Sequence, residues 1–142
     1  MAETFLLELA TPERRLVHEP VSEAQIPGAA GYLGILPGHA PLLGQLGIGE
    51  LGYKTKDGKT HVANIAGGYV EVTPTQVRVL ADSAEMPNEL DSARAEAALR
   101  RANDRLSKVE GVVDVARAIN AMKRAQSRLE MAKKYGIIPP GH

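Results

Sequence analysis

Six arginines in the C-terminal part of the chain recur at spacings that could bring them together for anion binding. They are Arg94, Arg101, Arg105, Arg117, Arg124 and Arg128. The planar fork of the arginine guanidinium matches phosphate and carboxylate oxygens in paired hydrogen bonds. Because like charges repel, a cluster of arginines favours neutralisation by an anion. Three interpretations stay open from these residues: a solvated basic face, a bound phosphate group, or a docking surface for an acidic protein.

The sequence contains no catalytic or metal-binding constellation. The chain has no cysteine, so disulfides, zinc–thiolate sites and thiol nucleophiles are excluded. Its histidines lack metal-ligand spacing; they are His18, His39, His61 and His142. We interpret Gly67-Gly68 as a requirement of the backbone, because it is too short for a phosphate-binding loop. We therefore predict a protein that is not an enzyme and that holds no metal and no permanent cofactor.

The arginines lie in the second of two segments that differ in composition and meet near residue 86. Residues 1–85 hold 11 of the 14 glycines and 6 of the 9 prolines, and carry 6 Lys/Arg against 10 Asp/Glu. Residues 86–142 carry 11 Lys/Arg against 7 Asp/Glu. We predict two domains, a turn-rich β domain over residues 1–86 and a basic helical domain over residues 87–142.

Short alternating segments between turn residues predict an antiparallel β-sandwich in the first domain. The predicted strands cover residues 5–9, 15–19, 21–26, 32–36, 46–53, 60–65, 69–72 and 77–80. Asp57-Gly58 predicts a hairpin turn. The run GYLGILPGHAPLL at 31–43 joins a core strand to a rigid, proline-anchored loop. That loop is a candidate docking surface; it comprises Leu36, Pro37, Gly38, His39, Ala40, Pro41 and Leu42.

Apolar residues spaced alternately by three and four predict two helices in an antiparallel hairpin. The seam positions are Ala95, Leu99, Ala102, Leu106 and Val109 in the first helix, and Val115, Ala118, Met122, Ala125, Leu129 and Ala132 in the second. Asp91 or Ser92 is expected to cap the first helix and Asp114 the second, with Gly111 between them. Since alanine buries little apolar area, we expect closure of the hairpin to be finely balanced against the entropy of ordering it.

Five stretches of the chain resemble the epsilon subunit of bacterial F-type ATP synthases, the counterpart of the mitochondrial delta subunit. They are LATPE at 9–13, GYLGILPGHAPLL at 31–43, AGGYVEV at 66–72, VLADSAE at 79–85 and LDSARA at 90–95. The stretches occur in the order found in that family and cover nearly the whole chain. The resemblance implies an N-terminal β-sandwich followed by a C-terminal helical hairpin, in agreement with the reading of composition and periodicity.

The resemblance also implies a function. Members of the family are non-catalytic subunits of the central stalk. They bind the gamma subunit and the c-ring, and they couple rotation of the c-ring to ATP synthesis. The hairpin can extend towards the alpha and beta subunits and inhibit ATP hydrolysis. The expected location is peripheral, on the cytoplasmic side of the inner cell membrane.

In some relatives the hairpin holds a regulatory ATP. Their motif is matched here at Leu90, Asp91, Arg94 and Ala95. The implied nucleotide ligands are Glu85, Asp91, Arg94, Arg101, Arg124 and Arg128. The segment Met86-Pro87-Asn88 before the motif departs from the family pattern.

An adaptor unrelated to ATP synthase, which binds an acidic protein through the basic helices, is the alternative. Nucleic acid is not an expected partner, because the helical segment between Tyr69 and Tyr135 has no aromatic residue on which bases could stack. Direct membrane insertion is not expected either. The uncharged run at 25–49 is interrupted by glycines and prolines, and the N-terminal residues lack the basic flank of a signal peptide.

Overall fold

Alternating apolar and polar residues build seven strands in the part of the chain that the structure describes. The structure is a computed structural model and describes residues 3–108 and 111–135. The strands are β1 (Phe5–Ala10), β2 (Arg15–Gly28), β3 (Gly31–Ile35), β4 (Leu42–Gln45), β5 (Ile48–Thr55), β6 (Thr60–Val72) and β7 (Gln76–Glu85). The chain divides into two compact units that meet between Met86 and Pro87, and these strands belong to the first.

Strand pairing produces the predicted sandwich. The order is β1-β7-β6-β5-β2-β3, with β4 on β6 and with β1 also paired to β2. The first half of β2 pairs with β1 and its second half with β5 and β3, so β2 contributes to both layers. Leu7, Leu51 and Ile65 are among the fully buried side chains between the layers. The β1–β7 pair is parallel, which the prediction of a purely antiparallel sheet missed.

The predicted strand break at Pro20 is wrong, because β2 runs through both Pro20 and Pro27. At Pro20 the strand pairs with β1, and its pairing with β5 begins only at Val21. At Pro27 the strand pairs with β3, beyond the last β5 partner at Gln25. At each of these prolines, β2 pairs with a described strand on one side only. The other side has no described partner there, so a proline, which lacks the amide hydrogen, is tolerated without loss of pairing.

The prediction also divided β6 at Gly67-Gly68, whereas the structure has one continuous strand. Both glycines have positive φ, +71° and +108°. A Cβ on Gly68 would overlap the carbonyl oxygen of Leu80, and one on Gly67 would overlap the carboxylate of Asp82. Because only glycine tolerates these constraints, the interpretation of this pair as a backbone requirement is confirmed.

The loop predicted to extend through Leu42 ends one residue earlier, because β4 begins at Leu42. This short strand pairs antiparallel with the end of β6, from Tyr69 to Val72. Leu42 packs partly against the core. Leu43 is 73% exposed, as expected for the next residue along a strand, whose side chain takes the opposite face.

The second unit contains α1 (Ser92–Ser107) and α2 (Val112–Tyr135), preceded by a short 3-10 turn at Pro87–Glu89. The predicted cap at Asp91 is confirmed: its carboxylate accepts hydrogen bonds from the backbone amides of Ala93 and Arg94. Neither these helices nor the described residues elsewhere provide a helix long and apolar enough to cross a membrane.

The predicted cap at Asp114 is wrong, because α2 already begins at Val112. Gly111, with φ +93°, precedes it, and the Gly111 carbonyl accepts a hydrogen bond from the Val115 amide at 3.1 Å. Asp114 therefore lies within the first turn, where its negative charge is favourable to the helix dipole.

The two helices pack through the predicted alanine-rich seam. Its buried members are Ala95, Ala102, Ala118, Ala125, Leu129 and Ala132. Its half-buried members are Leu99, Leu106, Val115 and Met122, while Val109 lies outside the described residues. Met131 is also buried, at 2% exposure, and the heptad pattern missed it.

Candidate functional site

One outer face of the sandwich exposes three large apolar side chains next to one another. Leu43 is 73% exposed, Tyr69 61% and Leu80 43%. Tyr69 lies opposite Leu80 in the β6–β7 pair, and Leu43 is its diagonal neighbour across β4 and β6. Opposite and diagonal residues on one sheet face are within contact distance for long side chains. A contiguous exposed apolar surface of this kind is typical of a protein interaction site.

Charged residues border this apolar patch of Leu43, Tyr69 and Leu80. Arg78 lies opposite Glu71 in the β6–β7 pair. Its guanidinium is 3.9 Å from the carboxylate of Glu8 on β1. The face therefore combines an apolar centre with a charged border, which is the usual composition of a protein–protein interface.

The structure places the predicted docking segment directly before this face. Leu36 is 60% exposed. Gly38, Ala40 and Pro41 are also exposed, whereas Pro37, His39 and Leu42 are half-buried. The amide of Gly38 donates to the carbonyl of Pro74 at 3.1 Å, which fixes the segment to the β6–β7 turn.

Sequence reasoning included Leu43 in the run at 31–43 but ended the docking loop one residue before it, and it did not single out Tyr69 or Leu80. A signal was present in the alternation of the strands. Val70 and Val72 are buried, so Tyr69 belongs with Glu71 on the outer face of β6. A large apolar residue at an outward strand position is the pattern that would have identified this surface.

The six predicted nucleotide ligands are divided between the two units. Glu85 ends β7 in the first unit. In the second, Asp91 caps α1, while Arg94 and Arg101 are exposed on that helix. Arg124 and Arg128 are half-buried on α2. The assembly of these six residues around one nucleotide stays a prediction.

Between the two helices lies a groove of about 520 Å³ with a basic lining. The residues that line it are Arg105, Lys108, Asp114, Arg117, Ala118, Asn120, Ala121 and Arg124. The predicted gathering of arginines is thus observed for Arg105, Arg117 and Arg124. Arg94, Arg101 and Arg128, although they belong to the described part of the chain, are not in the lining. Sequence reasoning did not single out Lys108 or Asn120.

The described residues contain no group of three or more histidine, aspartate or glutamate side chains placed to hold a metal ion. Two pKa displacements occur in the β5–β6 hairpin. Burial raises the pKa of Tyr53, with a further contribution from the charge of Glu19. A hydrogen bond from the Thr55 hydroxyl lowers the pKa of Asp57, helped by the backbone amide of Lys59. The hydrogen bonds to Asp57 order the hairpin turn, and both groups lie outside the candidate residues.

A β-sandwich with an exposed apolar face, followed by a basic helical hairpin, defines a two-module interaction protein. Residues 4–87 match the family described as the beta-sandwich domain of the ATP synthase delta/epsilon chain. Residues 88–133 match the family described as its long alpha-helix domain. The chain therefore belongs to the ATP synthase delta/epsilon chain family, and the resemblance found in the sequence is confirmed.

Individual relatives agree with this assignment. An ATP synthase epsilon chain of Solibacter usitatus is 57% identical over 102 residues, which are 72% of this chain and 75% of that one. An ATP synthase epsilon chain of Syntrophobacter fumaroxidans is 43% identical over 134 residues, which are 94% of this chain and 99% of that one. Both are described as ATP synthase epsilon chains.

Solved structures agree as well. One match is a chain in a structure of the OSCP, F1 and c-ring part of the Euglena gracilis mitochondrial ATP synthase. It is 25% identical to this chain and has a TM-score of 0.78. The match covers 92% of this chain and 81% of that one. A second match is a chain in a structure of the central stalk and c-ring of the Tetrahymena thermophila mitochondrial ATP synthase. It has a TM-score of 0.61, and the match covers 90% of this chain and 96% of that one. At 15% identity it supports the fold alone.

Proposed function

We propose that this ATP synthase subunit works in the central stalk, where it couples rotation of the c-ring to ATP synthesis and restrains ATP hydrolysis through its helical hairpin. The observation that carries the proposal is the match of both modules, in order, to one family over residues 4–87 and 88–133. The chain itself catalyses nothing in this account. It acts by binding the gamma subunit and the c-ring, and its location at the membrane is peripheral and cytoplasmic.

The sandwich is the part that stays docked. Its exposed patch of Leu43, Tyr69 and Leu80 would lose its contact with water upon binding to the stalk, and burial of large apolar side chains is the main driving force of association. The neighbouring segment from Leu36 to Leu42 extends the same surface, with its backbone fixed through Gly38 and Pro74. A rigid docking surface is suited to transmitting torque.

The hairpin is the part that moves. The seam positions buried between its helices are mostly alanine, whose side chains bury little apolar area compared with leucine. Ordering each residue costs about 1–2 kcal/mol of conformational entropy. The closed hairpin is therefore only slightly favoured, and it can open towards the alpha and beta subunits to inhibit hydrolysis.

A regulatory ATP would shift this equilibrium by binding the closed state. The proposed ligands in the helical unit are Asp91, Arg94, Arg101, Arg124 and Arg128, with Glu85 from the end of β7. A ligand that binds only one conformation stabilises it by mass action. The arginines would neutralise the triphosphate through charged hydrogen bonds.

Co-purification tests the stalk assignment. The tagged chain, expressed together with the gamma and c subunits of the same organism, should elute with both at constant stoichiometry. Elution of the folded chain alone, while gamma and the c-ring elute together, would favour the adaptor alternative.

Calorimetry tests the nucleotide site in the isolated full-length chain. ATP should release heat, and Arg94→Ala and Arg128→Ala should abolish the binding. Arg100→Ala is the matched control, because it removes the same charge from an exposed position of α1 outside the predicted ligands. Absence of heat at millimolar ATP would contradict the site, and so would equal loss in the control.

A further inference from the structure

The last part of β7 has a strand partner along only one of its two edges. On one side β7 pairs with β6 as far as Glu85, which lies opposite Asn64. On the other side its parallel pairing with β1 stops at Leu80, opposite Ala10. Beyond Leu80 no described strand continues along that edge. The backbone groups on this edge of residues 81–85 therefore need other hydrogen-bond partners.

The guanidinium of Arg14 supplies one such partner. Its Nη2 atom donates a hydrogen bond to the backbone carbonyl of Ala84 at 3.3 Å. Arg14 belongs to the turn that follows β1, so its side chain takes over where β1 stops. A charged donor makes a stronger hydrogen bond than a neutral one. Arg14 thus replaces the missing strand at a single point, one residue before the end of β7.

The turn that carries Arg14 is ordered by its own hydrogen bonds. The amide of Thr11 donates to the carbonyl of Arg14 at 2.8 Å. The hydroxyl of Thr11 accepts from the amides of Glu13 and Arg14, both at 3.3 Å. Because these bonds fix the backbone of the turn, less conformational entropy is lost when the guanidinium binds the Ala84 carbonyl.

The same end of β7 is also held by the core. The side chain of Ala84 is buried there, and Met86 packs against the core from its edge. The next residue, Pro87, has no amide hydrogen, and its ring favours an extended backbone at Met86. The sandwich therefore holds the chain as far as Met86, and the second compact unit begins at Pro87.

We propose that Arg14 is a positioning residue that locks the end of β7 into the sandwich and thereby places the pivot of the helical hairpin at Met86 and Pro87. This inference rests on the proposed function, in which the hairpin moves while the sandwich stays docked. Without the lock, a pull on the hairpin separates residues 81–85 from β6 and lengthens the tether between the two units. A longer flexible tether lowers the effective concentration of the hairpin at its target.

Hydrogen–deuterium exchange of the isolated full-length chain tests the lock. Arg14→Gln should make the slowest amides of residues 81–85 exchange about fivefold faster, the size expected for the loss of one hydrogen bond. The amides of Thr55 and Gly58 are hydrogen-bonded within the β5–β6 turn. Since that turn opens independently of β7, their exchange should stay nearly unchanged.

Three further variants define the contact. Arg15→Gln is the matched control, because it removes the same charge from the neighbouring exposed residue; it should leave the exchange of residues 81–85 nearly unchanged. Arg14→Lys keeps the charge without the guanidinium fork and should restore part of the protection. Thr11→Val removes the hydroxyl that orders the turn, so it should accelerate the same amides, though less than Arg14→Gln does.

ATP hydrolysis by the purified ATP synthase gives a readout that a purely structural role would not move. With Arg14→Gln in this subunit, inhibition by the hairpin should weaken, so hydrolysis should rise towards the rate of a complex that lacks residues 88–142. Asp57→Ala is the structural control, because it removes a hydrogen bond from the β5–β6 turn. It should leave the hydrolysis rate unchanged.

The lock is overturned if Arg14→Gln and the wild type exchange residues 81–85 at the same rate, or if Arg15→Gln accelerates them equally. Faster exchange beside an unchanged hydrolysis rate, in a complex whose hydrolysis responds to removal of residues 88–142, would overturn its link to the hairpin. If that removal had no effect either, the proposed inhibition would fail, while the exchange result would still decide whether Arg14 locks β7.

Discussion

The carboxylate of Asp91 accepts a hydrogen bond from the backbone amide of Arg94 at 3.1 Å. A second bond, from the amide of Ala93, measures 2.8 Å. Together they satisfy two of the free amides at the start of α1. Asp91 therefore fixes the helical turn that carries Arg94, which gives the aspartate a structural task whether or not it also contacts a nucleotide.

Substitution of this cap should separate its two roles. Asp91→Ala should lower the free energy of unfolding of the helical unit by about 1 kcal/mol, because an amide partner is lost. Asp91→Asn keeps an acceptor oxygen and should cost much less. Urea unfolding followed by circular dichroism measures both variants. Equal stability of Asp91→Ala and the wild type would contradict the capping role. ATP binding retained in Asp91→Asn would assign the effect of Asp91→Ala to the helix.

The second prediction concerns Gly68, which has a positive φ within β6. Gly68→Ala should destabilise the sandwich by about 3 kcal/mol or more, because the new methyl group meets the backbone oxygen of Leu80 and the residue needs φ +108°. Gly52→Ala is the matched control in β5, where the nearest atom to the new Cβ is 3.9 Å away. Chemical unfolding of both variants should show a large loss only for Gly68→Ala; similar losses would contradict the account.

The third prediction concerns the exposed patch of the sandwich. Leu43→Ser and Tyr69→Ser should weaken binding to the gamma subunit about tenfold or more, since exposed aromatic and aliphatic anchors dominate interfaces. Their free energy of unfolding should stay within about 0.5 kcal/mol of the wild type. Surface plasmon resonance against gamma measures the affinity, and Lys56→Ser at the exposed tip of the β5–β6 hairpin serves as control. Wild-type affinity in both patch variants would remove this face from the interface.

Most of the fold could be predicted because it depends on local signals. Glycine and proline located the turns, alternation of apolar and polar residues located the strands, and the spacing of alanines located the helical seam. The misplaced boundaries depend on tertiary pairing. Pro20 could be read as a break only while the neighbours of β2 were unknown, and Leu42 entered a strand because the end of β6 offered it a partner.

The candidate site was less predictable for the same reason. The sequence indicated that the arginines would gather, but which ones face a common groove depends on the packing of α1 against α2. Lys108 and Asn120 carry no distinctive local pattern, so only the structure adds them to Arg105 and Arg117. The outward apolar positions of Tyr69 and Leu80 were readable from strand alternation, yet their proximity to Leu43 required the pairing of β4 with β6.

The regulatory role of the hairpin is tested by the rate of ATP hydrolysis in the purified ATP synthase after residues 88–142 have been removed from this subunit. We expect the shortened subunit still to co-purify with gamma, because docking depends on the sandwich, and we expect hydrolysis to be faster than in the intact complex. An unchanged hydrolysis rate, with the shortened subunit present at normal stoichiometry, would contradict the regulatory role of the hairpin.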